Sequence, residues 1–268
     1  MTKNAYTENL LNSSLYSRFR CHFSELWESE KYFLTSHYIG DGASVLDVGG
    51  ACGGFGNAII ESVQQKVDYT CVDPDKRAIE LGKVLYPNFK FITGAFPECM
   101  PRSAPLFDYV MLNGWFAQVT DWKGMLLTLK RFSKRFINVG LNLRLDGTTV
   151  VDPDVSYFYY LDSGVRVPEI THNLYELINF CSIHEMNAKQ VSLYCYTTPD
   201  KPSSAFRPLS RRNQLQGNLL IELFSQEDGN PTRIGGISNE AQKVLGGEVE
   251  KPFRPIYDII INNEKIDF

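Results

Sequence analysis

The sequence predicts a doubly wound α/β fold, a seven-stranded sheet that is parallel apart from an antiparallel edge strand. Three observations carry that prediction. Short apolar runs alternate with helical segments from Ser44 to Leu141, a glycine-rich turn follows the first run, and a single aspartate closes the second. Strands separated by helices imply parallel pairing with both sheet faces covered, because each crossover returns over a face.

Ser44 to Val48 reads as a short buried strand bounded at once by glycines, and Phe55 to Val63 as the helix after it. Tyr69 to Val72 is a second strand ending on Asp73. Pro74 suits a helix start because its φ is already helical, so Asp75 to Leu85 continues as helix. Phe89 to Ile92 and Phe107 to Leu112 are the third and fourth strands, Trp122 to Phe132 a helix, and Phe136 to Leu141 the fifth strand. Ahead of them, residues 1–40 carry Leu11, Leu15, Phe19, Phe23, Leu26 and Phe33 at near-helical spacing, which predicts an N-terminal helical cap.

The alternation pauses after Leu141. Asn142 to Val151 reads as a hairpin about Asp146-Gly147, followed by the turn Asp152-Pro153-Asp154 and the aromatic stretch Tyr157 to Leu161. The segment at about 142–170 is therefore an insertion in a main domain of residues 41–196. Leu174 to Phe180 is helical, and Ile183 to Met186 with Val191 to Tyr196 reads as an antiparallel edge pair. Residues 197–213 are rich in proline and serine, a linker into a small β-rich extension that completes residues 197–268. In it, Leu219 to Phe224 is expected to pair with Thr232 to Ile237, and Ile256 to Ile261 with Lys265 to Phe268. This tail is short for a domain, so it is expected to pack on the main body or on a second subunit, as in a homodimer.

The chain has 268 residues, 43% of them hydrophobic, enough for one sizeable core. Its 27 Lys plus Arg against 31 Asp plus Glu leave a net charge of -4, the wrong balance for holding a nucleic-acid backbone. Lys130, Arg131, Lys134 and Arg135 form the densest basic group and read as a solvated helix face. Six cysteines without short paired spacing suit reduced thiols. No run approaches the roughly 18 apolar residues of a membrane span, and residues 1–12 lack a signal peptide's apolar stretch. A soluble, cytoplasmic protein acting on a small-molecule substrate, with no nucleic-acid or membrane partner, is expected.

The chemistry concentrates in Val45 to Gly56. Five of the eight residues from Gly49 to Gly56 are glycine, where a strand turns tightly into a helix. Glycine permits positive φ there and lets a ligand approach the main chain. Asp73, 24 residues after Gly49, ends the next strand, where a carboxylate can accept both hydroxyls of a ribose. A helix-capping role for Asp73 is compatible with that one. The Gly-x-Gly-x-x-Gly spacing of a dinucleotide fold is absent from either starting glycine, and Asp47 suits a cationic ligand better than a pyrophosphate.

Asp47-Val48-Gly49-Gly50-Ala51-Cys52-Gly53 resembles the first motif of the class I S-adenosylmethionine-dependent methyltransferases, with Ala51 where the middle glycine usually stands. The resemblance covers roughly residues 40–196 and implies a Rossmann-like fold. It also implies S-adenosyl-L-methionine as cofactor, with S-adenosyl-L-homocysteine as product. On it, the backbone of Gly49, Gly50, Ala51 and Gly53 contacts the amino-acid part of the cofactor, Asp47 orients that loop, and Asp73, followed by Pro74, holds the ribose. Thr93-Gly94-Ala95-Phe96 resembles the adenine-binding segment, with Ala95 where many members carry an aspartate and Phe96 as an apolar neighbour. Asn113, Gly114 and Trp115 leave the fourth strand where cofactor and acceptor should meet. The strand ends in Asn-Gly-Trp-Phe and not in the Asn/Asp-Pro-Pro-Tyr/Phe of many nucleic-acid methylators, which points to a small-molecule acceptor methylated on oxygen or nitrogen. A cofactor-binding protein without catalysis, or a macromolecule methyltransferase, is the alternative.

Candidate catalytic residues fall in and just after the insertion. His172, just before or within a helix, is expected to titrate near neutrality and serve as base for a hydroxyl acceptor. Arg144 and Tyr160, with Arg166, Tyr157 and Tyr159, are expected to line an acceptor pocket, and His22 to close it. No His, Cys, Asp or Glu set has zinc spacing, and Asp152 with Asp154 lacks a third ligand.

Overall fold

A computed structural model describes residues 20–35, 39–160, 166–183, 186–197, 205–206, 215–224, 256–261 and 264–266. The sheet expected from the alternation is present. Five parallel strands, β1 (Ala43–Val48), β2 (Val67–Asp73), β3 (Lys90–Thr93), β4 (Phe107–Leu112) and β5 (Ser133–Arg144), lie in the order β3-β2-β1-β4-β5. The order reverses between β1 and β4, which opens a crevice at the carboxyl ends of the strands. This is a Rossmann-like doubly wound arrangement.

The helices cover the two faces unequally. On one face lie α1 (Glu28–Thr35), α2 (Gly54–Val63) and α3 (Lys76–Leu85), burying Phe33, Ile59 and Ile79 against Val45, Tyr69 and Tyr109. On the other lie α4 (Trp122–Phe132) and α5 (Leu174–Cys181), burying Trp122, Leu126, Leu129 and Leu177 against Leu46, Val110 and Ile137. Each fully buried Leu or Ile contributes about 2 kcal/mol, so both stripes hold their helices firmly. Side chains also set the helix starts: Asp75 accepts from the Arg77 N–H, Asp121 from the Gly124 N–H and Asn173 from the Glu176 N–H.

The tail enters this sheet. β11 (Leu215–Leu223) lies between β5 and β9 (Ala188–Thr197), antiparallel to both, so the antiparallel strand of the core is interior. Beyond β9 come β12 (Ile256–Ile261) and β13 (Glu264–Ile266), the latter two paired as a hairpin. The boundary expected at 196/197 therefore cuts through one sheet. Burial explains it: Leu219, Leu220 and Ile221 have two apolar faces to hide, and a slot between two strands hides both. Thr232 to Ile237, the expected partner of this strand, lies outside the described residues.

The insertion also differs in detail. Asp146-Gly147 is a turn, with Gly147 at φ +66, but Val150 bridges to Thr171 and not to β5. β8 (Thr171–Asn173) runs parallel to the last residues of β5, and β6 (Tyr157–Tyr160), β7 (Arg166–Pro168) and β10 (Ala205–Phe206) form a small second sheet. Ile183 and Met186, expected in a strand, flank it as a bend and a short 3-10 piece before β9. In the N-terminal region, Phe23–Glu25 forms a 3-10 turn ahead of α1, and Leu11, Leu15 and Phe19 lie outside the described residues. No helix among the described residues is long and apolar enough to cross a membrane.

Candidate active site

The loop leaving β1 is held by its neighbours' backbones. The Gly49 N–H donates to the Val72 carbonyl at 2.7 Å, and the Gly94 N–H donates to the Asp73 carbonyl at 3.0 Å, tying the exits of β1, β2 and β3 together. Gly49 sits at φ +72, and a Cβ on it would collide with the Trp115 indole, so glycine is required on two counts. A Cβ on Gly50 would come within 2.5 Å of the Asp47 Oδ2. Gly53, at φ +78, leads into α2. Ala51 adopts φ 54, the left-handed region that costs a residue with a Cβ about 1 kcal/mol.

Two carboxylates flank that loop. Asp73 is 8% exposed, and its oxygens accept from the Ala51 N–H at 2.9 Å and the Asp75 N–H at 2.8 Å. It thus bridges the β1 and β2 loops, while Asp75 caps α3. Burial pushes the Asp73 pKa up, and the two amides pull against that shift. Asp47 is fully enclosed below Gly50 and accepts a short bond from the Tyr69 hydroxyl. Burial raises its pKa to about 6, against the pull of the Tyr69 bond and the Arg20 charge. The structure so brings Asp47, Gly49, Gly50, Ala51, Gly53, Asp73 and Trp115 around one crevice mouth, with Gly114 beside the Gly49 carbonyl.

Other expected cofactor residues have different surroundings. Phe96 is buried in the apolar core against Phe132, ring centroids 5.0 Å apart. Ala95 and Pro74 are exposed at the rim. The Asn113 side chain turns into the protein, where its Oδ1 accepts from the Asn218 amide at 3.0 Å.

His172 requires correction as a base titrating near neutrality. It lies on β8, aligned with Leu143, and so faces the α4–α5 side of the sheet. There it stacks on Phe116 with centroids 5.2 Å apart and meets the Trp122 edge. It is 0% exposed, and burial lowers its pKa to about 4, so the ring is neutral at pH 7. Arg144 turns back on its own loop and pairs with Asp146 at 3.2 Å. Arg166 pairs with Asp154 at 3.0 Å and lies over the Tyr157 ring. His22 sits in the open beside Glu61. The side chains of Tyr159 and Tyr160, and all of His184, lie outside the described residues.

The sequence reading missed a polar row inside the sheet. Asn138, Gly140 and Asn142 alternate with Ile137, Val139, Leu141 and Leu143 along β5, so the amides share one face, the α1 side. Asn218 donates to Asn138 at 2.8 Å and to Asn113, and accepts from the Ser29 hydroxyl at 2.6 Å. Nearer the strand end, Gln216 donates to Asn142 at 3.3 Å, and Asn142 donates to Glu169 at 3.0 Å. The signal was available: polar residues at period two within an otherwise apolar strand mark a built polar face.

No protein-family model matches this sequence, and no curated protein matches it. Among solved structures it is similar to a TehB-like SAM-dependent methyltransferase from Corynebacterium glutamicum, with 13% identity over 82% of this chain and 99% of that one, TM-score 0.47. It is similar also to a SAM-dependent methyltransferase of Thermotoga maritima, described as a possible histamine N-methyltransferase, with 13% identity over 81% and 96% of the chains, TM-score 0.46. With PKMT2 from Rickettsia typhi, solved in complex with AdoHcy, identity is 24% over 38% of this chain and TM-score 0.34; the match spans only 21% of that protein's length.

Proposed function

We propose that this protein transfers a methyl group from S-adenosyl-L-methionine to an oxygen or nitrogen of a small-molecule acceptor, such as a metabolite or a sugar. The single observation that carries the reading is Asp73. This near-buried carboxylate bridges two loops at the carboxyl end of the sheet, beside a glycine turn that excludes a Cβ. A ribose needs such a carboxylate, and a cationic amino-acid chain needs close backbone with no pyrophosphate-binding spacing. The cofactor would supply an already activated methyl group, so the protein's task is binding, alignment and exclusion of water. Gly49, Gly50 and Ala51 would contact its amino-acid end, Asp47 would brace that loop from below, and Trp115 would wall the crevice where the acceptor approaches.

Calorimetric titration with S-adenosylhomocysteine tests the reading. Micromolar-range binding is expected, weakened about 100-fold by Asp73→Ala, the effect of losing two hydrogen bonds to a charged group. Binding of NAD with no response to S-adenosylhomocysteine would sink it.

A further inference from the structure

We infer that the indole N–H of Trp115 is the donor that holds the carboxylate of the cofactor's amino-acid end. The inference rests on the methyltransferase reading and gives Trp115 a bond to the nucleoside beyond its part in the wall of the crevice.

The geometry carries it in three steps. First, the glycine loop has spent its own donors. The N–H groups of Gly49 and Gly50 donate to the Val72 carbonyl at 2.7 and 3.4 Å, that of Ala51 to the Asp73 carboxylate at 2.9 Å, and that of Gly53 to the Gly50 carbonyl at 2.8 Å. These bonds hold the loop's shape, so the same amides do not serve an incoming anion. Second, the Trp115 ring turns its polar edge to that loop. A Cβ on Gly49 would stand 2.0 Å from the indole Nε1 and 2.2 Å from Cδ1, against 3.3 Å from Cε2. As a Cβ is about 1.5 Å from its Cα, the nitrogen lies within about 3.5 Å of the Gly49 Cα. Third, this half-buried N–H donates to no group among the described residues. An indole nitrogen can only donate, and one packed into a protein normally finds an acceptor.

The mount of the ring is fixed. Phe116, next in the chain, is fully buried and stacked on His172, and the Trp115 carbonyl accepts from the Gln118 N–H at 2.8 Å. The Ile170 N–H donates to the Ala117 carbonyl, which docks the same turn on the insertion. Charge makes the donor necessary. Asp47 and Asp73 flank the loop, and a third carboxylate beside them needs a bond to hold it there. The ligand class that satisfies the ring is a nucleoside bearing an amino-acid chain. Its ammonium suits the acidic flank, and its carboxylate suits the N–H. A nucleoside without that chain gains nothing from this donor.

Titration calorimetry tests this with S-adenosylhomocysteine and methylthioadenosine, which has the same nucleoside and sulfur but no carboxylate. Trp115→Phe keeps an aromatic wall and removes the N–H. It should weaken S-adenosylhomocysteine binding roughly tenfold, the size of one hydrogen bond to a charged group, and leave methylthioadenosine unchanged. Trp115→His, whose Nε2–H can stand where the indole N–H stands, should recover part of that loss. The wild type gives a second readout that needs no variant. In its nitrogen–proton correlation spectrum, one indole N–H resonance should move downfield on adding S-adenosylhomocysteine and stay in place with methylthioadenosine. Equal losses of both nucleosides in a folded Trp115→Phe, no loss at all, or indole resonances that answer both nucleosides alike would overturn the inference. A wild type that binds neither nucleoside overturns the methyltransferase reading, and this inference falls with it.

Discussion

The two halves of the crevice are built by different means. The β1–β2–β3 half is assembled from loops joined by main-chain bonds, with Gly49 bonding Val72, Gly94 bonding Asp73, and Asp73 bonding Ala51 and Asp75. Its partners lie at most about two dozen residues apart. The β4–β5–β11 half is assembled from side-chain amides over long separations: Asn142 to Gln216 spans 74 residues, Asn113 to Asn218 spans 105, and Ser29 to Asn218 spans 189. Local backbone geometry builds the first half, whereas the second is gathered by side chains from the whole chain.

The largest expected effect separates the halves. Asn218→Leu leaves Ser29, Asn113 and Asn138 without their common partner in the core, which should cost about 4 kcal/mol of stability. Urea unfolding measures it, and a loss under 1 kcal/mol would mean that the amide knot does not hold the second half together. A smaller pair of effects probes charge in each half. Asp47 has its pKa raised from 3.8 to about 6 in the fold, so its contribution is fully present below pH 4 and lost as pH rises toward 6. His172 has its pKa lowered from 6.5 to about 4, so its contribution is present above pH 6.5 and lost as pH falls toward 4. Each is worth about 3 kcal/mol. Unfolding at pH 4.5 and pH 7 should therefore show Asp47→Asn gaining stability at pH 7 relative to pH 4.5, and His172→Phe losing less on acidification than wild type does. Parallel curves for all three proteins would refute both assignments. The smallest effect is at Ala51: Ala51→Gly relieves the left-handed backbone and should raise the melting midpoint through about 1 kcal/mol of stability. A lowered midpoint would show that the loop gains nothing from glycine there.

This division also explains what could be read from sequence. The strand order, the glycine turn and Asp73 were legible because each depends on neighbours close in the chain, and Gly49 and Gly50 are glycine for reasons visible as spacing. His172 was misread because a histidine near a strand end looks the same whether it faces a crevice or Phe116 and Trp122; one residue of register on β8 decides which. The packing of Phe96 was hidden in the same way, its ring neighbour Phe132 being 36 residues away. Glu169 and Gln216 were not legible, since nothing local in Pro168-Glu169 or Leu215-Gln216 indicates that Asn142 joins them. The boundary expected at 196/197 is not a boundary of the sheet, because a proline-rich connector can return a strand to it, and β11 lies beyond that connector.

That interior strand has a consequence for how the molecule is made. β9 is separated from β5 by β11, so the sheet cannot close in chain order: residues 188–197 are synthesised before the strand that must come between them and β5. At about 5–20 residues per second, a ribosome takes roughly 4–16 s to go from the end of β5 to the end of β11. During that interval β5 and β9 each present an unpaired edge, the kind that recruits other chains. The glycine-loop half can form early from nearby contacts, while the amide row waits for Gln216 and Asn218. The loop half of the crevice is therefore an earlier folding event than completion of its amide half.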